Sequence, residues 1–269
     1  MRLALAQLGV VGGDTDGNLD RAVAAIDRAV DRGADLVALP ELFNVGYFAF
    51  DSYMREAEAL DGPTLTRLAA VADDRDVGLL AGSVVEDLAA SHEAGFTVPD
   101  TDGLANTAVF FDRDGRRRAV YRKQHLFGYG SAETQLLTPG ERLPTVEFAG
   151  FTLGVTTCYD LRFPELYREL TEQGVTLTLV PSAWPYPRVE HWQTLPRARA
   201  IENLAYLAVV NGSGDFDGET LVGRSTVYDP WGTPLASCGD DPALVTVEVD
   251  PETVAEVRAE FPALDDRWV

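Results

Sequence analysis

A chain of 269 residues with 46% hydrophobic residues is long enough to bury one large core, and its ordinary composition excludes a disordered protein. Forty-three Asp and Glu against 22 Lys and Arg give a formal charge of -21, which repels nucleic acid and anionic lipid and excludes both as partners. No apolar run reaches the roughly 18 residues that would span a bilayer, and MRLALAQLGVVGGD, with one Arg and no small-residue cleavage site, reads as a first strand, so a cytoplasmic location is expected.

Strand-like and helix-like stretches alternate along the whole chain. Residues 2–8 make a strand that ends in a Gly/Asp turn. Residues 18–32 then set Leu19, Ala22, Val23, Ile26, Ala29 and Val30 on one helical face. Gly33 stops that helix, because glycine tolerates positive φ. DLVAL (35–39) is a buried strand, a second amphipathic helix runs near 64–75, and GLLAGSVV (78–85) is another strand. Residues 86–103 are polar and irregular and are expected to form a loop. LANTAVFF, the turn DRDG at 112–115 and RRRAVYRK make a hairpin, since Asp-Gly supplies the left-handed turn residues. TVEFAGFTLGVTT holds two more strands. YDLRFPELYREL continues as a helix, with Pro164 tolerable only in its first turn. VTLTLV is a strand, EHWQTLPRARAIENLA is mostly helical, and AYLAVVN is a strand. The segments near 222–228 and 243–249 are strands, and 251–260 is a short final helix. No repeat, linker or low-complexity tract interrupts this order, so residues 1–269 are expected to form a single α/β domain.

Net negative charge of this size weakens the compact state through self-repulsion, a cost that concentrated salt screens. The composition therefore points to a halophilic protein from a salty cytoplasm. Lys123 is the only lysine, every other basic side chain being Arg. Arg cannot copy a compact, three-donor ammonium that also changes protonation state, so a chemical requirement and chance survival are the two explanations to separate. Cys158 and Cys238 show neither a disulfide framework nor metal-ligand spacing, and are expected as free thiols. His92, His125 and His191 are too scattered for a His-based metal site.

Three reactive groups each stand at the end of an apolar strand, where ligand sites of α/β folds collect. In LVALPELFNVGY, Glu41 follows a buried strand and a Pro; partial desolvation there raises a carboxylate's pKa and makes it a base, unless it is a solvated loop cap. In AVYRKQHLFG, Lys123 has Tyr121 and Phe127 as neighbours and is placed either to stabilise an oxyanion or to protect a strand edge. The preceding Arg116 to Arg118 read as a solvated hairpin edge. In FTLGVTTCYDLRFPEL, Cys158 lies where strand turns to helix, and a helix N-terminus there would favour the thiolate over an inert buried thiol. GDFDGET (214–220) lacks the further ligands of a calcium loop and reads as a solvated loop.

These three segments, in this order and separation, resemble the nitrilase superfamily of carbon–nitrogen hydrolases. ANTAVFFDRDG, SAETQLLTPGERL, HWQTLPRARAIENLAYLAVVN, GRSTVYDPWG and VRAEFPAL extend the resemblance along nearly the whole chain, with 86–103 and GDFDGET particular to this sequence. It implies a four-layer α-β-β-α sandwich, usually paired into a homodimer or higher homo-oligomer, and no metal or organic cofactor. It also implies a catalytic triad: Glu41 as base, Cys158 as nucleophile forming a thioester, and Lys123 with the Tyr159 backbone N–H as oxyanion donors. Glu133 falls where the family places a second glutamate that positions substrate and lysine.

True nitrilases typically follow the cysteine with Trp-Glu, whereas this chain reads Cys158-Tyr159-Asp160-Leu161-Arg162-Phe163-Pro164-Glu165. That string is similar to the omega-amidase branch, which hydrolyses the terminal amide of 2-oxo dicarboxylic acid monoamides and of deaminated glutathione. Such a small-molecule substrate carries a carboxylate, to which Arg162, about one turn beyond Cys158, offers a bidentate fork; the competing role for Arg162 is an ion pair with Asp160, Glu165 or a neighbouring Glu. Tyr47, His125 and Trp184 are candidate pocket residues. Cys238, His92 and His191 are assigned no chemistry. Carbamoyl amides and nitriles are the alternative substrates, and a non-catalytic scaffold is the alternative of another class.

Overall fold

The computed structural model describes residues 1–216 and 218–267. In chain order its elements are β1 (Arg2–Gln7), α1 (Thr15–Asp31), β2 (Leu36–Ala38), α2 (Tyr53–Glu56), α3 (Pro63–Asp74), β3 (Gly78–Asp87), α4 (Leu88–Glu93), β4 (Leu104–Phe111), β5 (Arg117–Arg122), α5 (Glu133–Leu136), β6 (Thr145–Phe148), β7 (Phe151–Val155), α6 (Pro164–Glu172), β8 (Leu177–Ser182), α7 (Val189–Asn203), β9 (Tyr206–Asn211), β10 (Ser213–Phe216), β11 (Glu219–Val222), β12 (Thr226–Tyr228), β13 (Pro234–Ser237), β14 (Ala243–Glu248) and α8 (Pro251–Glu260). A 3-10 turn covers Cys158–Arg162.

The strand period of two decides the layering. In β1, Leu3 and Leu5 enter one core, while Ala4 and Ala6 enter another. β1 sits in a six-stranded sheet ordered β14-β1-β2-β3-β4-β5; a second six-stranded sheet is ordered β13-β12-β9-β8-β7-β6. Between the two sheets, Leu3, Leu5, Phe110 and Tyr121 from the first meet Phe151, Leu153, Leu177 and Tyr206 from the second. On the outer face of the first sheet, Ala4, Ala6 and Val37 meet Ala22, Ala25 and Ile26 of α1 and Leu65 and Leu68 of α3. Alanines on both sides let that helix pack close to the sheet. On the outer face of the second, Val180, Leu207 and Val209 meet Leu166 and Tyr167 of α6 and Trp192 and Ala200 of α7. The result is the expected four-layer α-β-β-α sandwich. Among the described residues, no helix is long and apolar enough to cross a membrane.

Three expectations need correction. Residues 86–103 contain α4, which Asp87 caps by accepting the Ala90 N–H at 3.0 Å; Asp ahead of a short apolar turn is a standard N-cap that the polar surroundings mask. The helix read through YDLRFPELYREL is split. Phe163 is extended (φ -113°, ψ 93°), as the clash with a following proline ring demands, so α6 begins at Pro164. The stretch 214–220 is not an open loop: β10 and β11 pair from Ser213↔Val222 to Phe216↔Glu219, with Asp217 lying outside the described residues.

Candidate active site

Leaving β2, the backbone of Leu39 and Pro40 crosses directly over Gly82 of β3. A Cβ on Gly82 would stand 2.0 Å from the Leu39 carbonyl oxygen and 2.2 Å from that of Pro40, so only glycine permits this approach. The β3–β4 register shifts there, between Ala81 and Val84, and Leu42 N–H donates to Ser83 Oγ at 2.8 Å. Leu42 takes φ 45°, a left-handed turn that sends Glu41 inward. The Glu41 side chain is fully buried. Oε1 accepts from Lys123 Nζ at 2.8 Å and Asn106 Nδ2 at 2.9 Å, and Oε2 accepts from the Ala183 N–H at 2.9 Å. Burial raises its pKa against the lowering pull of the Lys123 ammonium.

Lys123, one residue past β5, is likewise enclosed. Its Nζ lies 2.8 Å and 3.0 Å from the two Glu133 oxygens as well as 2.8 Å from Glu41. Burial opposes its charge, yet the two carboxylates outweigh burial and hold the ammonium well above the ordinary lysine range. Glu133, at the start of α5, is fully buried; its Oε2 also accepts from Tyr47 OH at 3.1 Å and the Phe127 N–H at 2.7 Å. One ammonium is thus clamped between two carboxylates.

Cys158 opens the 3-10 turn after β7 with φ 47°, a conformation that non-glycine residues seldom adopt and that turns the thiol toward Glu41 and Lys123. The turn is pinned by buried Asp160. Its carboxylate accepts from the Thr157 N–H at 2.8 Å, Tyr121 OH at 2.5 Å and the His125 N–H at 3.1 Å. The expected helix N-terminus at the sulfur is absent, because α6 starts six residues later at Pro164. Burial, reinforced by the Glu41 carboxylate, pushes the thiol well up. This pull favours the protonated thiol, the opposite direction to the one a helix N-terminus at the sulfur would give.

Above the sulfur opens a cavity whose walls include Tyr47, Lys123, Arg162, Trp184 and Arg188. Tyr47 and Trp184, two of the candidate pocket residues, are in these walls. Arg162 pairs with neither Asp160 nor Glu165; its guanidinium lies 4.9 Å from the Trp184 ring, with Nη2 3.1 Å from His191 Nδ1. His125 is a correction. It stacks on Phe163 at 3.6 Å and places Nδ1 2.9 Å from Asp160 Oδ1, bracing the nucleophile turn instead of facing the cavity. His191 has more contact with the site than the sequence indicated, through Arg162. Cys238 lies apart, with Sγ 3.2 Å from Gln7 Oε1. Among the described residues, no three His, Cys, Asp or Glu are grouped to hold a metal ion.

A family model described as carbon-nitrogen hydrolase matches residues 2–259. The chain belongs to the carbon–nitrogen hydrolase family. It is 38% identical, over 87% of its own length and 78% of the relative's, to the 2-oxoglutaramate amidase of Paenarthrobacter nicotinovorans. It is 34% identical to human omega-amidase NIT2, over 97% and 92% of the two chains. Among solved structures it superposes with a TM-score of 0.82, at 32% identity, over 97% of this chain and 98% of the other, on a mutant amidase from Nesterenkonia sp. AN1 showing Michael addition of acrylamide at the active site cysteine.

Sequence reasoning missed several members of this carbon–nitrogen hydrolase site. Asn106 carried a usable signal, a lone amide inside the apolar strand LANTAVFF. Asp160 did too, as an acid beside the expected nucleophile. The Ala183 N–H and Arg188 had none, since each reaches the site through the backbone course after β8.

Proposed function

We propose that this chain hydrolyses the terminal amide of a small 2-oxo acid omega-amide through a Cys158 thioester. The observation that carries the reading is the buried Glu41–Lys123–Cys158 group at the floor of a cavity whose wall carries the Arg162 and Arg188 guanidinium groups. The amidases at 38% and 34% identity act on substrates of the class their names give, which supports the same class here.

Glu41 takes the thiol proton, a transfer its raised pKa favours, and the sulfur attacks the amide carbon. The oxyanion forms beside the Lys123 ammonium and the Tyr159 N–H. Glu41 returns the proton to the departing nitrogen, ammonia leaves, and a thioester remains. Glu41 then takes a proton from water, the hydroxide adds to the thioester, and collapse returns the proton to sulfur and frees the acid. Glu133 holds Lys123 in line, and Arg162 forks onto the substrate carboxylate.

The test is ammonia release from 2-oxoglutaramate in concentrated potassium chloride, with and without Arg162→Gln. Loss of the fork should lower kcat/KM by roughly 10–100-fold, mainly through KM. Inert wild type with active turnover of carbamoyl amides or nitriles would move the substrate and keep the mechanism. An enzyme inert on all of these, with Cys158 no more readily alkylated than Cys238, would leave the scaffold reading.

We also infer a cytoplasmic, halophilic homo-oligomer. The surface charge of -21 supports the salt requirement. Raising potassium chloride from about 0.1 M to 2 M, which shortens the Debye length from ~10 Å to a few ångström, should raise the thermal midpoint. A midpoint unchanged by salt would remove the halophilic assignment.

A further inference from the structure

Lys123 is not the only donor that joins the two buried carboxylates. Asn106, inside β4, is buried, and its Nδ2 donates to Glu41 Oε1 at 2.9 Å and to Glu133 Oε1 at 3.4 Å. Lys123 Nζ donates to the same two oxygen atoms, at 2.8 Å each. Two donors and two acceptors close a ring, with a charged donor on one side and a neutral one on the other.

The backbone brings these donors together. The Lys123 N–H donates to the Asn106 carbonyl at 2.9 Å, so ammonium and amide project from facing positions of β4 and the end of β5. A flipped amide would turn its oxygen on two carboxylates, so the NH2 group faces them. Among the described residues, the Asn106 side chain makes no other hydrogen bond, its Oδ1 included. Other buried asparagines hold backbone instead: Asn18 Nδ2 donates to the Val11 and Asn44 carbonyls, Asn203 Nδ2 to that of Arg199, and Asn211 Nδ2 to those of Trp184 and Gly223. The Asn106 amide serves the two carboxylates alone.

The two donors are not equivalent during turnover. As the Lys123 ammonium meets the oxyanion, its hold on the carboxylates loosens, and two like charges are left facing each other. An uncharged amide has no oxyanion to follow. It donates to Glu41 both before and after Glu41 takes a proton, and more strongly to the ionised form.

We propose that Asn106 is a positioning residue for the catalytic base: its Nδ2 keeps Glu41 in line with Cys158 and spaced from Glu133 while Lys123 engages the oxyanion, and it favours the ionised form of Glu41. The proposal rests on the Glu41–Lys123–Cys158 mechanism given above and not on the choice of amide.

Glu41 is faced by Lys123 from the end of β5, Glu133 from α5, Cys158 from the turn after β7, and Tyr47 and Tyr53 from the chain between β2 and α3. Burial pushes both phenols and the thiol well up, while the carboxylates, against burial, hold Lys123 well above its ordinary range. In acid and neutral solution the group that switches the base is therefore a carboxylate. Taking a donor away from an ionised carboxylate raises its pKa.

The test is the pH profile of 2-oxoglutaramate hydrolysis in concentrated potassium chloride for wild type, Asn106→Leu and Asn106→Ser. Beside it, alkylation of Cys158 by iodoacetamide is followed against pH, with Cys238 counted apart by peptide mass. Leu removes the donor at similar volume; Ser keeps a hydroxyl on a side chain too short to bridge both carboxylates, at a smaller packing change. Both variants should lose roughly 10–100-fold in kcat, the worth of a hydrogen bond to a charged group. KM should change little, because Asn106 is not in the cavity wall. The acid limb of kcat/KM and of alkylation should move up by about one pH unit. A purely structural role would lower the thermal midpoint and leave the limb of the folded enzyme where it was; an unmoved limb in either folded variant would overturn the proposal. A wild type inert on 2-oxoglutaramate, whose Cys158 alkylation still shows a limb that moves up in the variants, would remove the substrate and keep the role of Asn106.

Discussion

Cys158→Ala should lower amide turnover by on the order of 10⁵-fold while leaving the fold in place. The covalent step has no substitute. The other groups around the sulfur are a carboxylate, an ammonium already bound to two carboxylates, and backbone N–H groups, none of which forms an acyl intermediate at neutral pH. What remains in the variant is oriented binding and oxyanion stabilisation, which accounts for the residual rate above water. Stability should change little, because the substitution removes a single buried sulfur atom. Intact-mass measurement on substrate addition supplies the second readout: wild type gains the mass of the acyl group transiently, and the variant never does. Turnover within about tenfold of wild type would rule out the thioester, since a thiol cannot be that dispensable to its own acyl transfer.

How much of this was legible in the sequence depended on range. Local period sorted Leu3 and Leu5 from Ala4 and Ala6, and the alternation of strands and helices implied layered α/β packing. Glu41, Lys123 and Cys158 stood out because each follows an apolar strand, but only the ordered motifs joined them. The states of those groups were less legible. A helix starting at the cysteine would favour the thiolate, yet Phe163 and Pro164 displace the helix, and burial beside Glu41 pushes the other way. His125 was placed in the pocket by proximity to Lys123, while Asp160, 35 residues on, holds its ring elsewhere. Arg188 and the Ala183 N–H depend on how β8 leaves its sheet. Such placements are set by tertiary contacts that no local pattern encodes.

Lys123→Met should cost activity and fold together, and its pH dependence identifies the cause. Removing the ammonium leaves Glu41 and Glu133 facing each other in the interior, with Asn106 Nδ2 donating at 2.9 Å and 3.4 Å as the side chain they share. Breaking a buried ion pair by deleting one partner costs about 3–5 kcal/mol, a large share of the roughly 5–15 kcal/mol that keeps a domain folded. Glu41 would respond by binding a proton, so its folded pKa, already raised by burial, rises further above the unfolded one. A group with a raised folded pKa contributes stability that is fully present below its unfolded pKa and is lost as pH climbs through the folded one. The variant should therefore come closest to wild type in mild acid and fall furthest behind at neutral and alkaline pH. Wild type differs because Lys123 itself carries a raised pKa: its contribution is present below the ordinary lysine value and is lost only above it, outside the neutral range. Glu41 alone, raised by burial, gives wild type a mild decline as pH rises through its pKa. Urea unfolding in potassium chloride at about pH 5 and pH 8 measures the difference. Lys123→Arg separates charge from shape, because it keeps a cation between the carboxylates but cannot set three donors within the same space. It should regain part of the stability and little of the turnover. If Lys123→Met unfolds like wild type at both pH values, the two carboxylates do not share a buried charge, and Lys123 is not what holds this site together.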